Sequence, residues 1–290
     1  MKKIILFGFG KPLIELYQNL KHTYEILGIV TDYERWKKNP EFYDFVAAEK
    51  ITLIDRSNVR ALKPDLILVF NYNKIIDVSN ADGLLFLNIH MGLLPTYRGN
   101  SANSWSILNG NRKVGYSLHQ INDVLDGGKI FYRFEYEIQE NETYEHARKA
   151  FSMDLKTNFL FVLNNVLNGS LKGVEQQNEK FIYTSRLIPQ DGILPHWNYE
   201  TEAIFNRQIV FSKPLGTGLK MKFKDQFLEI TKISRILNYL NYPGFSGAIV
   251  NIVNGSIWVK TKDTAISIDA IMIDGQSVLP STLFKIGERL

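Results

Sequence analysis

The chain has 290 residues, 45% of them apolar and 22% charged, proportions that predict a soluble globular protein with material for one large core or two modest ones. A formal net charge of +4 suits a phosphate-bearing ligand and falls far short of the basic excess of a dedicated nucleic-acid binder. With no cysteine there is no disulfide, thiolate nucleophile or cysteine metal site, and the cytoplasm is the expected compartment.

The first segment, "MKKIILFGFGKPL", has the charge of a short signal peptide. Its apolar part is only six or seven residues and runs into a glycine turn, so it reads as a first strand. No apolar run approaches the roughly 18 residues of a membrane span. A helix is expected over residues 12–20 and a buried strand over 24–31, "YEILGIVT". Pro64-Asp65 introduces "LILVF" and Gly83 introduces "LLFLNIH". Apolar strands separated by helix-length segments predict an α/β fold with a Rossmann-like, mostly parallel sheet. From Val114 the strands alternate, and Ile130, Tyr132, Phe134, Tyr136 and Ile138 share one face. One long helix is expected from Thr143 to about Asn168, stopped by Gly169. The turn-rich "PQDGILPHW" marks a boundary between a domain over 1–199 and a smaller one over 200–290. The latter holds one more helix-like stretch and then short alternating strands, with a hairpin turn at Asn254-Gly255, and reads as a β-rich, barrel-like domain.

"GFGKPL" after the first strand and Asp32 after the second resemble half of a dinucleotide fingerprint. Leu13 stands where the third glycine belongs, so no NAD site is expected. The turn reads either as a tight entry to a helix or as a phosphate site built from backbone N–H groups at Gly8, Gly10 and Lys11.

The chemistry-bearing stretch is "FLNIHMGLLPTYRGNSANSW". Residues two apart on a strand point to one side, so Asn88 and His90 project together at the carboxyl end of a parallel strand, where open α/β sheets bind ligands. Asp126 follows in "NDVLDGGKI", before two glycines that permit a sharp turn or a close approach. An amide donor, a base that titrates near neutral pH and a carboxylate to orient it suit acyl transfer. Each alone has an ordinary structural explanation; together they make a site. His119, facing away from the apolar positions of its strand, is read as structural.

"NIHMGLLPTYRG" followed by "VLDGGKI" resembles the N10-formyltetrahydrofolate-dependent formyltransferase family, as does the interval of 38 residues from Asn88 to Asp126. The likeness covers residues 64–140 closely and the preceding strands loosely. It implies that Asn88, His90 and Asp126 are catalytic and that the co-substrate is N10-formyltetrahydrofolate, with neither metal nor NAD. It also implies that the pterin lies along the backbone of Asn71, Tyr72, Asn73, Lys74 and Ile75 and of Asn122, Asp123, Val124 and Leu125. Gly92 stands where many members have serine, a change that sugar-modifying members often tolerate.

Three acceptor amines then compete. Methionyl-tRNA formyltransferases share the two-domain length but carry a basic, glycine-rich insertion after the second strand, which "TDYERWKKNPEFYDF" lacks. Phosphoribosyl-glycinamide formyltransferases end without the C-terminal domain. The remaining acceptor is a nucleotide-linked amino sugar of surface-polysaccharide synthesis, met by Gly8, Gly10, Lys11, Met91, Gly92, Tyr97, Arg98 and Asn100. Arg98 has an alternative reading as a brace for its loop. A formyltetrahydrofolate hydrolase and a noncatalytic nucleotide-binding protein are the rivals of other classes. No nucleic-acid or membrane partner is expected, and exposed apolar strands in the C-terminal half suit a homodimer.

Overall fold

The apolar runs read from the sequence become parallel strands because they can be covered on both faces. In the computed structural model, which describes residues 1–32, 34, 39–78, 83–177, 180–237 and 244–290, the chain forms two compact units. One comprises Met1–Asn103, Val114–Tyr136 and Ala147–Ser185; the other comprises Ser104–Lys113, Glu137–His146 and Arg186–Leu290. The expectation about the segment after the second strand falls partly on 33 and 35–38, outside the described residues.

In chain order the elements to residue 185 are β1 (Lys3–Gly8), α1 (Gly10–Leu20), β2 (Glu25–Val30), α2 (Pro40–Ala48), β3 (Leu66–Phe70), β4 (Leu85–His90), β5 (Tyr97–Gly99), α3 (Ala102–Leu108), β6 (Lys113–Gln120), β7 (Ile130–Glu137), α4 (Tyr144–Thr157), α5 (Phe159–Leu167) and β8 (Ile182–Thr184). The main sheet has the order β2-β1-β3-β4-β6-β7. Its first four strands are parallel, and β6 runs antiparallel to β4. All five residues of β3 are buried, as a central strand covered on both faces requires. β5 and β8 form a separate parallel pair.

The single helix expected over 143–168 is two. Asn158 separates α4 from α5, with φ −112° and ψ −26°, and its amide donates to the Asp154 carboxylate at 2.6 Å. Asp154 is buried and also accepts from the Tyr116 and Tyr132 hydroxyls. A buried carboxylate needs such donors, and an asparagine that bonds back along the helix interrupts it.

The second unit adds β9 (Ile193–Leu194), α6 (Thr201–Phe211), β10 (Leu219–Phe223), β11 (Gln226–Arg235), β12 (Ile249–Val253), β13 (Ser256–Lys260), β14 (Ala265–Ile273) and β15 (Gln276–Val278). They form one sheet in the order β12-β13-β14-β11-β10-β9, with β15 on β14, over a core of Trp197, Ile204, Leu219, Ile230, Ile257, Ile266 and Phe284. Asn254 and Gly255 take positive φ, 51° and 87°, and close the β12–β13 hairpin as expected of a two-residue primed turn. Among the described residues no helix is long and apolar enough to cross a membrane.

Candidate active site

β4 carries Asn88 and His90 to the carboxyl edge of the parallel strands, and the antiparallel register of β6 sets His119 opposite Asn88 and Ser117 opposite His90. Asn88 Nδ2 lies 3.0 Å from His119 Nε2. After β6 the chain turns at Asp126, whose φ is 51°, and its carboxylate enters between two imidazoles. Oδ2 is 3.5 Å from His90 Nδ1, and Oδ1 is 3.4 Å from His119 Nε2. Oδ2 also accepts the Gly99 N–H at 2.8 Å.

The far nitrogens of both rings face backbone carbonyls: His90 Nε2 is 2.9 Å from Tyr97 O, and His119 Nδ1 is 2.8 Å from Gln120 O. A carbonyl only accepts, so each of these nitrogens carries a hydrogen, and in each neutral ring the nitrogen facing Asp126 is a lone pair. Burial pushes the Asp126 carboxyl up, but the His90 charge, the neighbouring His119 and the Gly99 N–H outweigh it and hold the group at about 2. Burial pulls His90 below its usual range against the attraction of Asp126. At neutral pH the site is therefore a carboxylate beside an imidazole able to take up a proton.

The Asp126 turn is braced from behind. Gln176 Nε2 donates to Asp126 O at 2.8 Å and to Gly128 O at 2.7 Å, while its Oε1 accepts from Arg98 Nη2 at 2.8 Å. The Arg98 guanidinium lies 4.1 Å over the Phe181 ring, and the residue is 1% exposed. Arg98, expected at the acceptor, thus occupies the place of its alternative reading, a brace for the loop. Gly128 is needed where it stands, because a Cβ there would meet Gln120 O at 2.0 Å. Gly92 has a similar reason: a Cβ would stand 2.6 Å from both His90 Nε2 and the Ala102 Cβ.

A cavity of about 450 Å³ opens at this edge, with Asn88, His119 and Asp126 on its wall. Of the residues expected along the pterin, Tyr72, Lys74, Ile75, Asn122, Asp123, Val124 and Leu125 line it, joined by the apolar Val69, Ile76, Val78 and Ile121. Asn71 turns its amide to Phe9 O at 3.0 Å instead, and neither it nor Asn73 is on the wall. Ile75, Val124 and Leu125 leave apolar surface exposed at the rim. Of the residues expected at the acceptor, Gly8, Gly10, Gly92 and Tyr97 are buried along with Arg98, Met91 is half-buried, and Lys11 and Asn100 are exposed; none is on this wall. A second cavity of about 530 Å³, lined by Thr31, Asp32, Asp55 and Arg56 among others, shares Tyr72 and Lys74 with the first.

Sequence reasoning missed His119 and Gln176. The signal for His119 was present: Ser117 and His119 are two polar residues two apart on a strand whose other face is apolar, and both are fully enclosed. Gln176 left no local signal.

Residues 41–160 match the family model described as formyl transferase. The bifunctional polymyxin resistance protein ArnA of Wigglesworthia glossinidia brevipalpis is 26% identical over 73% of this chain, which spans 35% of that protein's length. A methionyl-tRNA formyltransferase of Bacillus velezensis is 25% identical over 71% of each chain. Among solved structures, the N-formyltransferase of Helicobacter canadensis, in complex with folinic acid and dTDP-3-aminofucose, superposes with a TM-score of 0.72 at 15% identity, covering 92% of this chain and 99% of that one.

Proposed function

We propose, for a chain whose residues 41–160 match the formyl transferase family model, that it moves a formyl group from N10-formyltetrahydrofolate to the amine of a nucleotide-linked amino-deoxysugar. It is an N-formyltransferase; the donor and the acceptor are the steps of this reading. The observation that carries it is the joint placement of Asn88, His119 and Asp126 on the wall of a cavity with apolar sides and a polar end. A flat, partly apolar heterocycle with polar edges fits such walls, and the folinic acid and dTDP-3-aminofucose of the Helicobacter canadensis enzyme support both ligand classes.

The donor supplies the formyl group. As the amine nitrogen bonds to the formyl carbon, the carbonyl oxygen gains charge, and the Asn88 amide donates a hydrogen bond to it. The amine gives up a proton to the imidazole–carboxylate pair of His90 and Asp126. When the bond to the departing nitrogen breaks, the same pair returns a proton to it. The exchange balances: one N–H is replaced by N–C on the acceptor, and the reverse occurs on the donor.

A sugar acceptor is favoured by the net charge of +4 and by the segment after β2, where Asp32, Glu34 and Glu41 are mixed among the basic residues. Room for the nucleotide is offered by the second cavity. The second reading is methionyl-tRNA as acceptor, favoured by the sequence likeness to the Bacillus velezensis enzyme. Purified protein incubated with N10-formyltetrahydrofolate and a panel of UDP- and dTDP-linked 4-amino- and 3-amino-6-deoxyhexoses separates the two. The expected products are tetrahydrofolate and a formamido sugar. Formylation of charged methionyl-tRNA with every sugar ignored selects the second reading, and formate release without any amine selects a hydrolase.

A further inference from the structure

Two imidazoles meet the Asp126 carboxylate, and the one on the cavity wall is His119, not His90. We propose that His119 is a positioning residue: held as the Nδ1–H tautomer by Gln120 O, it fixes the orientation of the Asn88 amide through a bare Nε2. The kinetic part of this inference rests on the formyl-transfer reading above; the tautomer does not.

The argument starts from donors and acceptors. His119 Nδ1 is 2.8 Å from a backbone carbonyl, so it carries the hydrogen, and in the neutral ring Nε2 is a lone pair. That lone pair is 3.0 Å from Asn88 Nδ2 and accepts one of its two N–H groups. The other N–H is left for an oxygen in the cavity that both residues line. An asparagine amide is nearly symmetric in shape, and its last torsion has two comparable wells. Without a partner that only accepts, it can turn over and offer its oxygen where the N–H now stands. An oxygen there would repel a developing oxyanion instead of stabilising it. His119 removes that choice.

An Nε2–H tautomer would instead donate to Asp126 Oδ1, 3.4 Å away, and would not accept from Asn88. The groups that face His119 are Asn88 and His90 from β4, the rings of the two histidines being 6.2 Å apart, and Asp126 from the loop after β6. Lys74, Asp77 and Asp123 lie on the same cavity wall. A histidine that merely fills space would need neither a particular tautomer nor an acceptor.

Nitrogen-15 NMR of the full chain with labelled histidine tests the tautomer directly. The expected result at neutral pH is a protonated Nδ1 and a bare Nε2 for His119; an Nε2–H tautomer overturns the proposal. Kinetics test the consequence. His119→Leu, which offers no acceptor, is expected to lower kcat by about tenfold to a hundredfold, in the range of an impaired oxyanion donor, with little change in KM for the folate. His119→Gln keeps an acceptor oxygen. It is expected to recover at least about fivefold over the Leu variant. Equal activity of the Gln and Leu variants also overturns it. If the wild-type chain transfers no formyl group to any amine, the formyl-transfer reading fails, while the NMR result still decides the tautomer.

Discussion

Gln176 holds Asp126 by the aspartate's own backbone, its Nε2 donating at 2.8 Å to Asp126 O, although the two residues are 50 positions apart. The same amide donates to Gly128 O and accepts from the buried Arg98 guanidinium, so both N–H groups and the oxygen of the Gln176 side chain are engaged. Gln176→Ala would leave those buried carbonyls unsatisfied, at a cost of about 1–3 kcal/mol. The expected outcome is a lower Tm together with a lower kcat, because the carboxylate loses its fixed place between the imidazoles. A variant with reduced Tm and wild-type kcat would show that the brace does not serve the site.

The catalytic assignment is tested by truncation. Asn88→Ala, His90→Ala and Asp126→Ala are each expected to lower turnover by about two to four orders of magnitude, as removal of oxyanion and acid–base groups does. Near-wild-type turnover in any two of them would remove the assignment.

Asp126 also sets a pH dependence of stability. Its carboxyl sits at about 2 in the folded chain against an ordinary value of 3.8, so the folded state favours the ionised form. A depressed pKa stabilises the fold above the ordinary value, and the contribution is lost as pH falls through the folded one. Above pH 4 the wild type should exceed Asp126→Asn in unfolding free energy. The gap should close between pH 4 and pH 2, as followed by denaturant titration at a series of pH values. A constant gap would mean that the carboxylate is not held by its partners.

Gly92 is expected to resist even the smallest side chain. The added Cβ of Gly92→Ala would press on the His90 ring and on Ala102 at 2.6 Å, so the imidazole must shift from Tyr97 O or the loop must move. Misplacement by an ångström can cost about a hundredfold in rate. Turnover measured beside the melting curve should show a fall in kcat larger than the loss of stability explains. Unchanged kcat would show that the neighbours yield freely.

The Gly8–Gly10 turn and the exposed Lys11 are proposed to meet phosphate. Lys11→Ala should then raise KM for a nucleotide sugar more than it lowers kcat, as loss of uniform binding does. NAD and NADP should leave Tm unchanged while a folate analogue raises it, since a ligand of the native state stabilises by mass action. A shift with NAD and none with the folate would reverse the reading.

What could be read without coordinates is what depends on short range. The apolar runs of β1 to β4, the Asn254-Gly255 hairpin and the projection of Asn88 and His90 to one side follow from local periodicity and turn chemistry, and the structure bears them out. The break at Asn158 did not follow, because helical periodicity continues through it and only the buried Asp154, with its tyrosine hydroxyls, makes the interruption favourable. Nor could periodicity choose between an acceptor-binding Arg98 and a bracing one; that was decided by Gln176, which arrives from a distant segment. His119 shows the division most clearly. Its alternation was visible, but its meaning came from the antiparallel register that sets it against Asn88. Register is a property of two strands paired in space, and a shift of one residue would have turned the imidazole to the opposite face of the sheet.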